Sequence, residues 1–145
     1  MRGTPSEPEV SAAIRALRRL HGTQPPPAPG THRTVWHQGG PQADLLSSED
    51  VQGRVVRQEF TLFQDYFLWT GQHGLRTGQV ADEASAAGMK GTPTIAFDRT
   101  PDAERLARAL SGLRASQSDD PYLLHLKQVL EAAHQALPPS SERGA

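Results

Sequence analysis

The segment from residue 31 to residue 80 carries three apolar bursts separated by turn residues, and it constrains the fold more than any other part of the chain. The bursts lie within HRTVWHQ, QADLLSSEDVQGRVVRQEFTLF and YFLWTGQHGLRTGQV. Apolar and polar residues alternate along them, as in strands that bury one face. Both Trp and three of the four Phe fall in this segment. The pattern predicts a small antiparallel sheet.

Turn residues divide this segment into short strands. Glycine, proline and acidic residues bound the apolar runs, as they do between the strands of a meander. The reversal at Gln64 and Asp65 carries no glycine, so one long strand bent at Asp65 stays open as an alternative to two strands. The predicted strands span residues 33–37, 42–48, 54–63, 66–70, 75–80 and 94–97.

Helix signals flank the sheet region on both sides. Ser6 followed by Glu9 forms a capping box that opens a helix over residues 7–20. Thr100 before Pro101, and Asp120 before Pro121, each supply an N-cap followed by proline, which predicts two more helices. The apolar stripes are Val10, Ile14 and Leu17 in the first helix, Leu106, Leu110 and Leu113 in the second, and Leu123, Leu126, Leu130, Ala133 and Leu137 in the third.

These segments together predict an α+β fold with an N-terminal helix on a Pro-rich linker, an antiparallel β-meander of about four to six strands, and two C-terminal helices. We expect the helix and linker over residues 1–30, an α+β domain over residues 31–137 and a disordered tail over residues 138–145. Residues 81–92 are small and polar, which is typical of a loop. A short helix is marginal alone in water, so the first helix docks on its own domain, docks on a partner or frays. We interpret it as separate, which predicts that residues 1–30 are dispensable for folding.

Composition excludes several classes of function. The formal net charge is −1, which argues against a general attraction to nucleic acid or anionic lipid, although residues 1–40 are net basic and residues 41–70 net acidic. The chain has no Cys, which excludes disulfides, thiolate nucleophiles and Cys-based metal sites. No apolar run reaches the ~20 residues of a membrane helix, and the N-terminus lacks the apolar core of a secretory signal. We expect a soluble cytoplasmic protein.

Candidate catalytic and metal sites are weak. The six His are scattered without the spacing of a ligand set, so we expect no metal and no cofactor. The segment GMKGTP at residues 88–93 lacks the spacing of a phosphate-binding loop. Only two acids are embedded in apolar sequence, and we interpret Asp65 as a turn residue and Glu59 as a solvent-facing partner of Arg57 or Arg76. The sequence therefore predicts a protein that is not an enzyme.

The aromatic side chains of the sheet region allow two interpretations. Alternation places Phe67 and Trp69 on one face of their strand and Tyr66 and Leu68 on the other, so both faces carry bulk. One face is the core, and the other is covered by the C-terminal helices or left exposed for a partner. The aromatic face is also compatible with stacking of bases, as in sheets that bind single-stranded nucleic acid. The acidic balance of residues 41–70 favours packing over that alternative.

Residues 54–80, RVVRQEFTLFQDYFLWTGQHGLRTGQV, resemble small myxobacterial-type accessory proteins, and the resemblance implies a bacterial regulatory role. We predict a non-enzymatic adaptor with two protein-binding surfaces, one on the sheet and one on the N-terminal helix. A partner that changes state, such as a small GTPase or a response regulator, suits such an adaptor. A small-ligand or single-stranded nucleic-acid binding module is the alternative. The predicted partner-binding residues are Val10, Ile14, Leu17, Arg15, Arg18, Phe67 and Trp69.

Overall fold

The described part of the chain runs from one helix through seven strands to two further helices. The computed structural model describes residues 4–20, 26–80 and 94–137, so the predicted loop at 81–92 and the predicted tail at 138–145 lie outside the described residues. The helices are α1 Glu7–Arg15, α2 Ala103–Ser116 and α3 Pro121–Gln135. The strands are β1 Arg18–Arg19, β2 Arg33–Gly39, β3 Ala43–Glu49, β4 Val55–Leu62, β5 Asp65–Thr70, β6 Gly74–Val80 and β7 Ile95–Phe97.

All seven strands form one sheet in sequence order, and every neighbouring pair is antiparallel. This confirms the α+β class and the antiparallel meander. The reversal between β4 and β5 is a two-residue turn, because Leu62 pairs directly with Asp65. Phe63 adopts a positive φ of 57° at this turn, the conformation that glycine usually supplies. The alternative of one long bent strand is therefore wrong, and the missing glycine is explained.

Strand β1, which was not among the six predicted strands, comes from a segment that the pattern assigned to a helix. Helix α1 ends at Arg15 instead of continuing to residue 20, and Arg18 and Arg19 pair with β2 as strand β1. The Leu20 N–H then donates to the Trp36 carbonyl at 2.9 Å. Gly39 permits this arrangement, because a Cβ on Gly39 would lie 2.6 Å from the Ala13 carbonyl oxygen of α1. The close approach of the two backbones favours strand pairing over another helical turn.

The three helices cover one face of the sheet and share a single apolar core with it. The core residues of α1 are Val10, Ala13, Ile14 and Leu17, and they join strand residues such as Leu45, Phe60 and Phe67 and helix residues such as Leu106 and Leu126. Gly112 of α2 approaches α1 so closely that a Cβ there would meet the side chains of Ile14 and Val10. A domain boundary at residue 30 would therefore leave the core residues of α1 outside the domain. Burial supplies the stability that a short isolated helix lacks.

Side-chain caps set the starts of the C-terminal helices. Helix α2 starts after Asp102, whose side chain accepts from the Arg105 N–H, so the predicted N-cap at Thr100 is two residues early. The backbone N–H of Asp102 also donates to Thr77 Oγ1 at 2.9 Å, which ties this end of α2 to strand β6. Helix α3 starts at Pro121 behind its N-cap Asp120, as the sequence predicts. None of the described helices is long and apolar enough to cross a bilayer.

Candidate functional site

The two faces of the sheet differ in what lies against them. Residues directly opposite each other in an antiparallel sheet share a face, so the strand register assigns each side chain to one side. The apolar cluster that the sheet shares with the described helices includes strand residues from one side only. On the other side Thr34, Ser48 and Tyr66 are also buried, and Thr34 Oγ1 donates to the Pro26 carbonyl oxygen at 3.5 Å. We call this other side the open face. Its three cross-strand rows are Trp36, Leu46, Glu59, Leu68 and Arg76; Gln38, Asp44, Thr61, Tyr66, Gly78 and Phe97; and Thr34, Ser48, Arg57, Thr70 and Gly74.

The first of these rows, which we call the middle row, crosses five strands from β2 to β6. It places Leu46 and Leu68 on either side of Glu59, with Trp36 at one end and Arg76 at the other. Trp36, Leu46 and Leu68 are each half-buried. Aromatic residues and Arg, surrounded by apolar side chains, are enriched in protein–protein interfaces. The middle row has this composition at four of its five positions, and the fifth is the central Glu59.

The centre of the open face is held by a hydrogen-bonded group of three side chains. The Tyr66 hydroxyl donates to Glu59 Oε2 at 2.6 Å, and Arg57 Nη1 donates to Glu59 Oε1 at 3.3 Å. Burial raises the pKa of the Tyr66 phenol, and its hydrogen bond to Glu59 raises it further. The phenol therefore remains a hydrogen-bond donor across the physiological pH range. The charges of Arg57 and Glu59 compensate each other, so the centre of the face has no uncompensated charge.

Each end of the open face carries an aromatic side chain beside a charge. At the β2 end the Trp36 indole N–H donates to Asp44 Oδ1 at 2.8 Å. At the β6 end the Arg76 guanidinium lies 3.7 Å from the ring centroid of Phe97, which is 38% exposed. The Phe97 ring also meets the edge of the Tyr66 ring at 5.9 Å. These contacts restrict the side chains at both ends of the open face in the folded protein.

The structure separates the residues predicted to bind a partner. Val10, Ile14, Leu17 and Phe67 lie in the core, so they are not available in this fold as anchors for a partner groove. The alternative that α1 docks on its own domain is the one the structure shows. Trp69 is half-buried under α3, with its ring 4.8 Å from that of His125. Arg15 is exposed and donates to the Ala115 carbonyl oxygen of α2 at 3.4 Å.

Only Arg18 of the predicted set lies on the open face. It is exposed on the edge strand β1, directly opposite Gln38. Trp36, Leu46, Leu68 and Arg76 were missed because their shared side depends on the pairing of five strands. Alternation within residues 66–70 did separate Leu68 from Phe67, but it left open which of the two faces the helices cover.

A polar network lies between the covered face and the start of α3. The fully buried His37 donates from Nε2 to Asp120 Oδ2 at 2.9 Å, and the Tyr122 hydroxyl donates to Glu49 Oε2 at 2.7 Å. Gln58 donates to the Tyr122 carbonyl oxygen at 3.0 Å and accepts from His125 Nδ1 at 2.8 Å. Two buried atoms, Arg19 Nε and His37 Nδ1, have no hydrogen-bond partner within the described residues.

The contacts of this network attach α3 to the sheet. Burial raises the pKa of the Asp120 carboxyl, but hydrogen bonds from His37 and from the Tyr122 N–H outweigh burial and lower it. Burial lowers the pKa of His125, which favours the neutral imidazole that donates to Gln58. The acids and the imidazoles are engaged with each other and with helix caps. Their arrangement therefore has a structural role in positioning α3.

A second buried cluster corrects the role expected for Asp65. Its carboxylate is only 5% exposed and accepts from Arg105 at 2.7 Å and from Arg108 at 2.8 Å, both on α2. Asp98 joins the cluster by accepting from Arg105 and from Thr77. Asp65 therefore fixes α2 to the sheet in addition to its place beside the turn. Glu59, by contrast, lies beside Arg57 on the open face as expected.

The described residues contain no group of three or more His, Asp or Glu side chains that could hold a metal ion. Comparison of the chain with protein-family models, with curated proteins and with solved structures gave no match.

Proposed function

We propose that this protein is a non-enzymatic adaptor that binds a protein partner through the open face of its sheet. The observation that carries the proposal is the middle row, a continuous line of Trp36, Leu46, Glu59, Leu68 and Arg76 on a side that no described helix covers. An adaptor needs a rigid surface with a few strong anchors, and a seven-stranded sheet supported by three helices provides one.

The chemistry of the open face favours protein over nucleic acid. Sheets that bind single strands combine exposed aromatic rings with a basic surround. Here Asp44 and Glu59 lie among Arg18, Arg57 and Arg76, so the surround of the rings is mixed in charge, and Arg57 is paired with Glu59. Phe67, one of the aromatic residues of the face considered for base stacking, is buried. The mixture of charge signs with Trp, Tyr and Leu is instead typical of a protein interface.

The proposal is tested by affinity capture from the source cells with three full-length forms of the protein. Leu68→Arg places a charge in the middle row without touching the core. Leu124→Arg is the matched control, because Leu124 is 39% exposed on helix α3, on the other side of the sheet. We expect mass spectrometry to find proteins retained by wild type and Leu124→Arg and lost by Leu68→Arg. The same set of proteins with all three forms would contradict the proposal.

A further inference from the structure

We propose that the open face binds the open face of a second copy of this chain, with a two-fold axis running between the two sheets along β4. This inference rests on the proposed function and names the partner. It follows from the order of side chains in the middle row and from the rim residues of the face.

The middle row of one copy is complementary to the same row of a second copy whose strands run in the opposite order. A two-fold axis parallel to β4 leaves each residue at the same height along the strand direction but reverses the left-to-right order of the strands in the second copy. Strand β2 of one copy therefore faces β6 of the other, and β3 faces β5. Leu46 of each copy then meets Leu68 of the other, and Trp36 meets Arg76. The first pair buries apolar surface, and the second is a cation–π contact.

The charges on the face are compatible with this arrangement. Glu59 of one copy lies opposite Glu59 of the other at the two-fold axis. Each carboxylate already accepts from Tyr66 and Arg57 of its own chain, so the two carboxylates repel each other only weakly. Asp44 lies beside Trp36 through the indole hydrogen bond, within reach of the arriving Arg76 of the second copy. On the rim, Arg18 opposes Phe97, because β1 and β7 are the two outermost strands of the sheet. Each arginine at an end of the face therefore meets an aromatic ring.

The geometry of two such sheets is a common one. Antiparallel sheets pack face to face at about 10 Å with strands within about 30° of each other. Five strands spaced about 4.8 Å apart and three rows of side chains, less the already buried Thr34 and Ser48, give a footprint on the order of 400 Å² per copy. The total of about 800 Å² is below the size of stable specific interfaces, so we expect a weak, reversible dimer with a Kd on the order of 100 μM. The helices would form the two outer layers.

The primary test is sedimentation equilibrium of the purified full-length chain over about 1 μM to 1 mM, a range that brackets the expected Kd. We expect wild type and Leu124→Arg to form dimers and Leu68→Arg to raise the Kd by about tenfold or more. A wild-type protein that stays monomeric throughout overturns the inference. A dimer that Leu68→Arg leaves unchanged also overturns it, because the contact then lies elsewhere.

A pair of charge variants tests the symmetry itself. One chain carries Leu46→Lys with Leu68→Lys, and the other carries Leu46→Asp with Leu68→Asp. Each alone should be monomeric because like charges oppose each other, and a mixture should form a heterodimer in which every Lys meets an Asp. Circular dichroism and the melting temperature confirm that both chains fold. Two folded variants that fail to associate when mixed contradict the two-fold arrangement.

These results are separable from the test of the proposed function. A monomeric wild type whose capture of other proteins still depends on Leu68 refutes self-association and leaves the adaptor proposal standing. A monomeric wild type with capture independent of Leu68 refutes both.

Discussion

The covered face of the sheet, on which the helices pack, and the open face are built from the same strands, yet their polar side chains have different partners. On the covered face, polar groups such as His37, Gln58 and Asp65 are buried, and each bonds to a helix. On the open face, Glu59 and Asp44 bond to neighbours within the sheet. Polar residues on the covered face thus position the helices, whereas those on the open face shape a surface.

On the covered face of this protein, a buried polar residue therefore indicates helix docking more than chemistry. A buried charge is tolerated only when it is paired and hydrogen-bonded. Asp65 meets that condition through two arginines of α2, which fix the position of that helix on the sheet. No described helix packs on the open face, and Glu59 and Asp44 there bond to neighbours in the sheet instead.

The largest expected effect comes from removing one wall of the covered face. Deletion of residues 1–30 removes the burial of Val10, Ile14 and Leu17 and the pairing of β1. Each large apolar side chain lost from a core costs about 2–5 kcal/mol, so the deletion should consume most of the stability of a domain of this size. Urea unfolding followed by circular dichroism measures it. A melting temperature within a few degrees of wild type would restore the interpretation of α1 as a separate segment.

Removal of a buried charge should have the next largest effect. Asp65→Ala leaves Arg105 and Arg108 beside the sheet without their shared carboxylate. Breaking a buried ion pair costs about 3–5 kcal/mol. Asp44→Ala on the open face is the matched comparison, and it should cost about 1 kcal/mol, the value of one hydrogen bond. Equal losses in urea unfolding would mean that the two faces do not differ in this respect.

Acid should weaken the covered face through His125. Its pKa is lowered by burial in the folded protein, so the unfolded chain binds more protons at this site. The contribution of His125 to stability is fully present above its ordinary pKa of about 6.5 and falls as the pH drops through 6.5 toward the lower folded value.

The variant His125→Asn retains a donor for Gln58 and removes the titration. We expect the free energy of unfolding of wild type to fall more steeply than that of His125→Asn between about pH 7 and pH 5. Urea titrations at several pH values give both slopes. Parallel slopes would mean that His125 keeps the same proton affinity when the protein folds.

Substitution on the open face should have the smallest effect on stability. Leu68→Gln is expected to change the free energy of unfolding by about 1 kcal/mol or less in dilute monomer, because Leu68 is half-buried outside the core. Phe67→Ala, one residue away on the covered face, should cost about 3–5 kcal/mol because Phe67 is buried against Phe60. The ratio of the two losses in unfolding free energy, Phe67→Ala over Leu68→Gln, measures how strongly the two faces differ in burial. A large loss for Leu68→Gln would show that something covers the open face in the monomer.

Local patterns were sufficient for most of the secondary structure. Ser6 with Glu9, and Asp120 with Pro121, place two helix starts where the structure has them. Alternation and turn residues place strands β2 to β7 close to their observed bounds. These signals are local because a cap or a turn satisfies backbone groups within a few residues. They fail at Arg18 and Arg19, where pairing with β2 replaces the last predicted turn of α1.

What the sequence by itself determined is the class of the fold, the antiparallel meander and the absence of cysteine chemistry, because these depend on composition and on periods of two to four residues. Only the tertiary structure decided that α1 belongs to the core, that Asp65 holds α2, and which face of the sheet stays open. Those outcomes depend on contacts between residues far apart in the chain, such as Ile14 with Gly112 and Asp65 with Arg108. Alternation assigns the residues of a strand to two faces but does not show which face is buried. The helices that pack on one of the two faces decide that.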